Sequence, residues 1–76
     1  MTKTPHPYNG VRLLEDVPSY FPGRGVIPKG TTGVIVEAYP DPEMYAVDLS
    51  IPNEKLVGGF TYENVTLERD QFELLD

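Results

Sequence analysis

The sequence predicts an all-β fold, a small barrel of five short strands with a long first loop. Apolar and polar residues alternate over several short stretches, as expected for strands with one buried face. Residues 18–30 hold three prolines and three glycines among thirteen positions, which excludes a helix there. The chain has 76 residues, which is room for one domain with a single core.

The first ten residues, MTKTPHPYNG, contain two prolines and an Asn-Gly pair with almost no apolar periodicity. This composition predicts a flexible tail over residues 1–10, followed by the barrel over residues 11–76. The stretch GVRLLEDV predicts the first strand, with one side formed by Val11, Leu13 and Val17.

Residues 18–30, PSYFPGRGVIPKG, predict a long irregular loop that carries Tyr20, Phe21 and Arg24. Loops of this length inside a compact domain are usually functional or disordered, and aromatic side chains often anchor interfaces. Two interpretations stay open: the rings contact a partner, or the loop folds over the barrel and both rings cover the core.

The stretch TTGVIVEAYPDPEMYAVDL predicts a β-hairpin that turns at residues 40–43. Gly33 has no side chain, so a neighbouring strand or the long loop can lie close to it. The first strand is expected to place on one face Val34, Val36 and Ala38, and on the other Ile35, Glu37 and Tyr39. The apolar side of the second strand is expected to be Tyr45, Val47 and Leu49.

The end of the chain predicts two more strands. In LVGGFTYENVTLE, Gly58 and Gly59 indicate a bulge or sharp bend. The packing residues of that strand are expected to be Phe60, Tyr62, Val65 and Leu67. In LERDQFELLD we expect one 3₁₀ turn around residues 68–71. The final strand is expected to return to the core Phe72 and either Leu74 or Leu75.

The residue types argue against catalysis and against a metal or cofactor. The chain has no cysteine and one histidine, His6, which lies in the predicted tail. Nucleophilic and acid–base catalysis need a reactive group beside a base, or paired groups with separated pKa values. The remaining candidates are carboxylates expected in turns or at outward strand positions, namely Asp41, Glu43, Asp48, Glu63, Glu68 and Asp70. We therefore expect a protein that is not an enzyme and carries no cofactor.

The charge of the chain bears on its partners. Six basic and twelve acidic residues give a formal net charge of −6, which disfavours binding to phosphate backbones and favours a basic protein partner. A role in solubility alone would also explain this charge. No stretch resembles a secretory signal or is long enough to span a membrane, so we expect a cytoplasmic protein.

Five short strands, a long first loop, a central hairpin and a one-turn helix before the last strand together resemble an SH3-like small barrel. The stretch KGTTGVIVEAYPDPEMYAVDL, closed by ERDQFELL, is similar to a family of small bacterial proteins of unknown function. In that family a hydrophobe, an acidic residue and Val or Ile lead to Lys-Gly-x-x-Gly-x-Val-Val-Glu and then to a Tyr-x-Val strand. The matching positions are Leu14, Glu15, Asp16, Val17, Lys29, Gly30, Gly33, Val34, Val36, Glu37, Tyr45, Val47, Leu49, Phe72 and Leu75.

The resemblance implies a fold more specifically than an activity. Gly-x-x-Gly-x-Val is also similar to the KOW modules of ribosome-associated proteins and to the nitrile hydratase β subunit. Members of the family are often encoded beside toxin-like partners, which implies an antitoxin or immunity protein. Before Lys29 the family commonly has a shorter connection, where this chain carries most of SYFPGRGVIP.

We therefore expect a non-catalytic protein-binding module that presents the long loop and an acidic face to a more basic protein. The predicted binding residues are Tyr20, Phe21, Arg24, Asp41, Glu43 and Asp48. Two alternatives stay open, a KOW-like barrel linked to nucleic acid or the ribosome, and an accessory domain of a larger enzyme complex. An open sheet edge leaves either a monomer or a weak homodimer.

Overall fold

The computed structural model describes residues 5–21, 23, 25–52 and 58–75. Over these residues the chain consists of β-strands and turns, with one short 3₁₀ turn. The elements are β1 Gly10–Leu13, β2 Val17–Pro18, β3 Val26–Ile27, β4 Thr32–Pro40, β5 Glu43–Pro52, β6 Phe60–Leu67, the 3₁₀ turn Arg69–Gln71 and β7 Phe72–Leu74. The prediction of an all-β fold is confirmed.

Five strands form one antiparallel sheet in the order β6-β5-β4-β1-β7, and β2 pairs with β3 in a second sheet of two strands. The β2–β3 pair lies inside the stretch predicted as an irregular loop. Val17 lies opposite Ile27 and Pro18 opposite Val26. A pair of two-residue strands is too short for an alternating pattern to reveal it in the sequence.

The core is one apolar cluster to which nearly every strand contributes. Its buried members are Val11, Leu13, Val17, Ile27, Ile35, Tyr45, Val47, Leu49, Val65, Leu67 and Phe72. Full burial of an aliphatic or aromatic side chain contributes about 1.5–3 kcal/mol relative to exposure. Burial of Tyr45, Val47 and Leu49 confirms the predicted inward side of the second hairpin strand. The predicted first strand is shorter than expected: Val11 and Leu13 are buried on β1, whereas Val17 is buried on the separate strand β2.

A β-bulge interrupts β4 between Ile35 and Glu37. Ile35 lies opposite Val47 and Glu37 lies opposite Ala46, so Val36 is the extra residue. A bulge places two residues against one on the partner strand, and the alternation of faces therefore shifts by one residue beyond it.

This shift corrects the prediction for the first hairpin strand. The prediction places Ala38 on one face with Val34, but beyond the bulge it lies opposite Tyr45 and therefore on the same side of the sheet as Ile35, where it is itself exposed. The outward side chains of β4 are Val34, Val36, Glu37 and Tyr39.

The hairpin itself is confirmed. Its turn is the dipeptide Asp41-Pro42, between the paired residues Pro40 and Glu43. The predicted close approach at Gly33 is confirmed as well. A Cβ atom at Gly33 would overlap the carbonyl oxygen of Asp48 and lie 3.0 Å from the Cα of Leu49.

The prediction for β6 is half correct. Val65 and Leu67 are buried, but Phe60 and Tyr62 are exposed. Residues 60 and 62 have even numbers and residues 65 and 67 odd ones, so one regular strand cannot turn all four side chains inward. The inward position before Val65 is instead Glu63, which is buried. Gly58 and Gly59, at the bend before β6, both have positive φ angles.

The end of the chain follows the prediction. Glu68 and Gln71 form a capping box around the 3₁₀ turn, in which the Glu68 N–H donates to Gln71 Oε1 at 2.8 Å. Phe72 is buried and Leu74 packs against the core, whereas Leu75 is exposed. Of the two leucines left open by the sequence, the inward one is therefore Leu74.

Part of the stretch predicted as a tail is hydrogen-bonded to the sheet. The Tyr8 N–H donates to the Ile35 carbonyl at 2.6 Å, and the Ile35 N–H donates to the Asn9 carbonyl at 3.0 Å. Asn9 also closes a turn with His6, whose N–H donates to Asn9 Oδ1 at 2.8 Å. Residues 1–4 lie outside the described residues.

Candidate functional site

The predicted binding residues Tyr20 and Phe21 lie between β2 and β3. We name residues 17–27 the aromatic loop. Its two ends enter the core through Val17 and Ile27, which are buried and opposite each other. The Ser19 N–H donates to the Gly25 carbonyl at 3.0 Å, and this bond extends the β2–β3 pairing by one residue on each side. Two short strands with buried side chains therefore hold the base of the loop.

Glu63 of β6 holds the next part of the aromatic loop. Its side chain is 2% exposed, and its carboxylate accepts hydrogen bonds from Ser19 Oγ at 2.8 and 3.0 Å and from the Tyr20 N–H at 2.6 Å. The Phe21 N–H in turn donates to Ser19 Oγ at 3.1 Å. A buried carboxylate is costly unless its oxygens are hydrogen-bonded, and bonds to a charged acceptor are stronger than neutral ones. The loop backbone at residues 19–21 is therefore fixed by hydrogen bonds to the Glu63 side chain, which is buried in the core.

The side chain of Tyr20 runs from Glu63 to the edge of β6. Its backbone N–H bonds Glu63, while its hydroxyl oxygen accepts a hydrogen bond from the Thr66 N–H at 3.3 Å. The ring is nevertheless 62% exposed, and that of Phe21 is 52% exposed. Neither ring belongs to the buried cluster, so the alternative that both rings cover the core does not describe this structure.

Arg24, the third predicted residue of the loop, lies outside the described residues. The acidic residues lie elsewhere in the fold. Asp41 is exposed in the hairpin turn, and Glu43 and Asp48 lie on β5.

The predicted acidic face is not a single face. Glu43 and Asp48 are five positions apart along a regular strand, so their side chains point to opposite sides of the sheet about 16 Å apart. Asp48 faces outward and accepts a hydrogen bond from Asn64 Nδ2 at 2.8 Å. Glu43 lies on the side of Tyr45, whose hydroxyl donates to its carboxylate. Any partner that contacts both carboxylates would have to reach around the edge of the hairpin.

Glu43 belongs to a cluster at the tip of the hairpin. The ring of Tyr45 packs edge-to-face on Phe72 with centroids 5.4 Å apart, and the guanidinium of Arg69 lies 5.0 Å from the centroid of Phe72. Burial, followed by the hydrogen bond and the charge of Glu43, raises the pKa of Tyr45 to about 12, while the charge of Arg69 opposes the shift. The hydroxyl therefore stays protonated and acts as a donor at neutral pH.

An open groove of about 430 Å³ lies beside this cluster, lined by Pro5, Ala38, Tyr39, Pro40, Glu43 and Tyr45. Along β4, the Tyr39 hydroxyl donates to Glu37 Oε2 at 2.9 Å. This hydrogen bond, and then the negative charge of Glu37, raise the pKa of Tyr39. The groove is lined by one carboxylate, that of Glu43, and by two phenols, those of Tyr39 and Tyr45, and these groups can orient a polar ligand by hydrogen bonds.

Among the described residues, no three His, Asp or Glu side chains converge on a point where a metal ion could bind. Within the same residues, no helix has the length and apolar character needed to cross a membrane.

The predictions from the sequence do not include an anchoring role for Glu63. They place Glu63 with the carboxylates expected in turns or at outward strand positions. The sequence does carry a signal for it. If Val65 and Leu67 face inward, the period of two residues along a strand places position 63 inward too. A carboxylate at an inward position is expected to have hydrogen-bond partners, and serine and backbone N–H groups of a nearby loop can provide them.

Comparison with known protein families identifies a match that covers most of the chain. The family described as "Domain of unknown function (DUF4926)" matches residues 8–74, from just before β1 to the end of β7. No significant match to the chain was found among curated proteins or among solved structures. The predicted resemblance to a family of unknown function is confirmed.

Proposed function

Because the chain belongs to the DUF4926 family, whose description assigns no activity, we propose its function from its surface: a non-catalytic module that binds a more basic protein. The observation that carries the proposal is the aromatic loop, which exposes Tyr20 and Phe21 on a backbone fixed by Glu63. Aromatic side chains supply much of the binding energy of protein interfaces. A loop already held in place loses less conformational entropy on binding than a mobile one.

We further propose that the strands form an SH3-like barrel. The order of elements supports this arrangement: a first strand, a long loop, three long antiparallel strands, a 3₁₀ turn and a last strand beside the first. The long first loop of this arrangement exposes Tyr20 and Phe21, and we infer that this surface acts by binding.

The charge of the chain sets the chemistry of the partner. The net charge is −6. Of the three described basic residues, Arg12 is paired with Glu73, Arg69 lies over Phe72 and Lys29 is exposed. A basic protein would be attracted to this surface, whereas a phosphate backbone would be repelled. An antitoxin or immunity protein that covers a cationic toxin would have these properties, and a cytoplasmic location would suit that role.

The test compares three immobilised baits in native lysate: the wild type, the double variant Tyr20→Ala/Phe21→Ala, and the control Tyr8→Ala. Tyr8 is another exposed aromatic residue and lies outside the aromatic loop. We expect a basic protein to be retained by the wild type and the control and lost by the double variant, with thermal melting showing that all three baits are folded. Retention of the same proteins by the double variant would contradict the proposal.

Treatment with nuclease separates this proposal from the nucleic-acid alternative. Direct protein binding survives nuclease, whereas a KOW-like barrel attached to RNA would lose its retained proteins. Binding of the isolated chain to RNA at low salt that is lost as salt is added would also favour the alternative.

A further inference from the structure

The large sheet has two edges that differ in length and charge. β7 is a three-residue edge strand, and its central residue Glu73 is paired with Arg12. β6 is an eight-residue edge strand whose register against β5 is continuous from Phe60 to Leu67. Natural proteins protect exposed edges with short strands, charges, proline or bulges. β7 has two of these protections, and β6 has no proline and no bulge.

The side chains of β6 add no protective charge. Its outward side chains are Phe60, Tyr62, Asn64 and Thr66, all uncharged. Its single charged residue, Glu63, faces inward, is buried and is bonded to the aromatic loop. Phe60 and Tyr62 are 52% and 65% exposed.

The aromatic loop shows which backbone groups of β6 lie at the free edge. The Thr66 N–H donates to the Tyr20 hydroxyl, outside the sheet, so the backbone groups of Thr66 point away from β5. Backbone groups alternate in direction along a strand, and therefore those of Phe60, Tyr62 and Asn64 point to the same free edge. Tyr20 covers this edge at Thr66, and it leaves the part from Phe60 to Asn64 uncovered by the described residues.

We propose that this uncovered part of β6 pairs with the same part of a second copy of the chain, in an antiparallel arrangement around a two-fold axis at Tyr62. Phe60 and Asn64 stand two residues on either side of Tyr62, so each would lie opposite the other in the partner strand. Each of the three facing pairs would exchange two backbone hydrogen bonds. On the outward face, the two Tyr62 rings would face each other across the axis, and each Phe60 would lie opposite Asn64 and diagonal to Tyr62 of the other copy.

The charge distribution of β6 favours a second copy of the chain over a charged peptide as the occupant of this edge. The facing surfaces carry no charged side chain that would repel its own image, and none that would select a cationic segment. Repulsion between two chains of net charge −6 acts at longer range and is screened by salt. Dimerisation is therefore expected to strengthen with salt, whereas binding of a basic protein weakens.

Sedimentation velocity of the purified chain over a range of concentrations tests the proposal. The apparent mass is expected to rise from 8.5 kDa toward twice that mass, and to rise at lower protein concentration when NaCl increases from about 50 mM to about 500 mM. In parallel, amide exchange at Phe60, Tyr62 and Asn64 is expected to slow as the protein is concentrated. A mass that stays at 8.5 kDa at every concentration would overturn the proposal.

A matched pair of variants locates the contact. Tyr62→Lys places two like charges at the two-fold axis and is expected to shift the dimerisation midpoint to at least about tenfold higher concentration. Val34→Lys adds the same charge to the same outward face, but on β4 in the middle of the sheet, and is expected to leave the midpoint unchanged. Thermal melting verifies that both variants are folded. Equal effects of the two variants would show that charge, not edge pairing, controls association.

The proposal does not rest on the binding of a basic partner. Loss of the dimer in Tyr62→Lys with partner retention intact would support it whatever the partner is. A dimer that persists in Tyr62→Lys would reject edge pairing and leave the proposed function standing.

Discussion

The aromatic loop and the tip of the β4–β5 hairpin both carry residues predicted to bind a partner, but different forces hold them. In the loop, a buried carboxylate on a distant strand fixes Ser19 and Tyr20. At the hairpin tip, paired strands hold the backbone as far as Pro40 and Glu43, and the carboxylate of Glu43 stays near the surface. An irregular segment can thus be anchored to the core more directly than a regular one.

If the two regions are held independently, a substitution in the hairpin should destabilise the whole sheet. A substitution at the anchor of the aromatic loop should free the loop while the sheet stays folded. Four substitutions, in order of decreasing effect, test whether the two regions are independent.

Gly33→Ala is expected to have the largest effect, a loss of about 3 kcal/mol in the free energy of unfolding. The new Cβ would overlap the Asp48 carbonyl oxygen, so the β4–β5 ladder would have to move apart. Gly10→Ala is the control, because its Cβ would meet Leu75 Cβ at an ordinary 3.7 Å. Urea unfolding of both variants measures the difference, and similar stabilities would show that the strands can relax around Gly33.

Glu63→Ala is expected to lower the free energy of unfolding by about 2–3 kcal/mol, because it leaves two part-buried donors of the loop, Ser19 Oγ and the Tyr20 N–H, without their acceptor. Its distinguishing effect is local: the Tyr20 amide should lose protection from hydrogen exchange, while the amides of β4 and β5 keep theirs. Glu15→Ala removes an exposed carboxylate instead and should change stability by less than about 0.5 kcal/mol. Uniform loss of protection in Glu63→Ala would mean that loop and sheet unfold together.

Tyr45→Phe tests the hairpin tip and is expected to cost about 1 kcal/mol at neutral pH, since it removes the hydrogen bond to Glu43. It should also change the pH dependence. The folded pKa of Tyr45 is raised to about 12 from 10.0, so its contribution to stability is complete below pH 10 and is lost as pH rises toward 12.

Melting temperatures between about pH 9 and about pH 12 check this point. The wild type should lose more stability over that range than Tyr45→Phe does, and parallel curves would contradict the assignment.

Tyr20→Phe is expected to have the smallest effect on stability, about 0.5 kcal/mol, because the bond from Thr66 is long and lies at the surface. Exchange of the Thr66 amide should become faster in dilute protein. An unchanged Thr66 amide would show that the Tyr20 hydroxyl does not protect this part of the edge.

The sequence predicts the hairpin well and the loop poorly, for physical reasons. The alternation of Tyr45, Val47 and Leu49 is strict, and the two-proline turn before it limits the register. The position of the bulge at Val36 depends instead on where β4 must bend to pack against its neighbours. No local sequence pattern encodes that position. In β6 two apolar sets of opposite parity compete, and only tertiary packing selects Val65 and Leu67.

The candidate site, too, is predictable from the sequence only in part. Tyr20 and Phe21 are exposed, and their role in binding a partner stays a prediction. The link from the loop to Glu63 spans more than forty positions, and a single sequence contains no signal for such a distant contact beyond the inward parity of Glu63. The separation of Glu43 from Asp48 was readable, because an odd spacing along a strand always divides two side chains between its faces.

The neighbouring positions of β1 and β7 have a consequence for engineering. The Leu75 N–H donates to the Gly10 carbonyl at 3.0 Å, so the start of β1 lies beside the end of β7. A short peptide linker between them, with new termini opened at Asp41 and Pro42, would give a circular permutant with every strand pair retained. The same geometry makes the domain a suitable guest for insertion into a surface loop of another protein, because entry and exit need only one gap in the host.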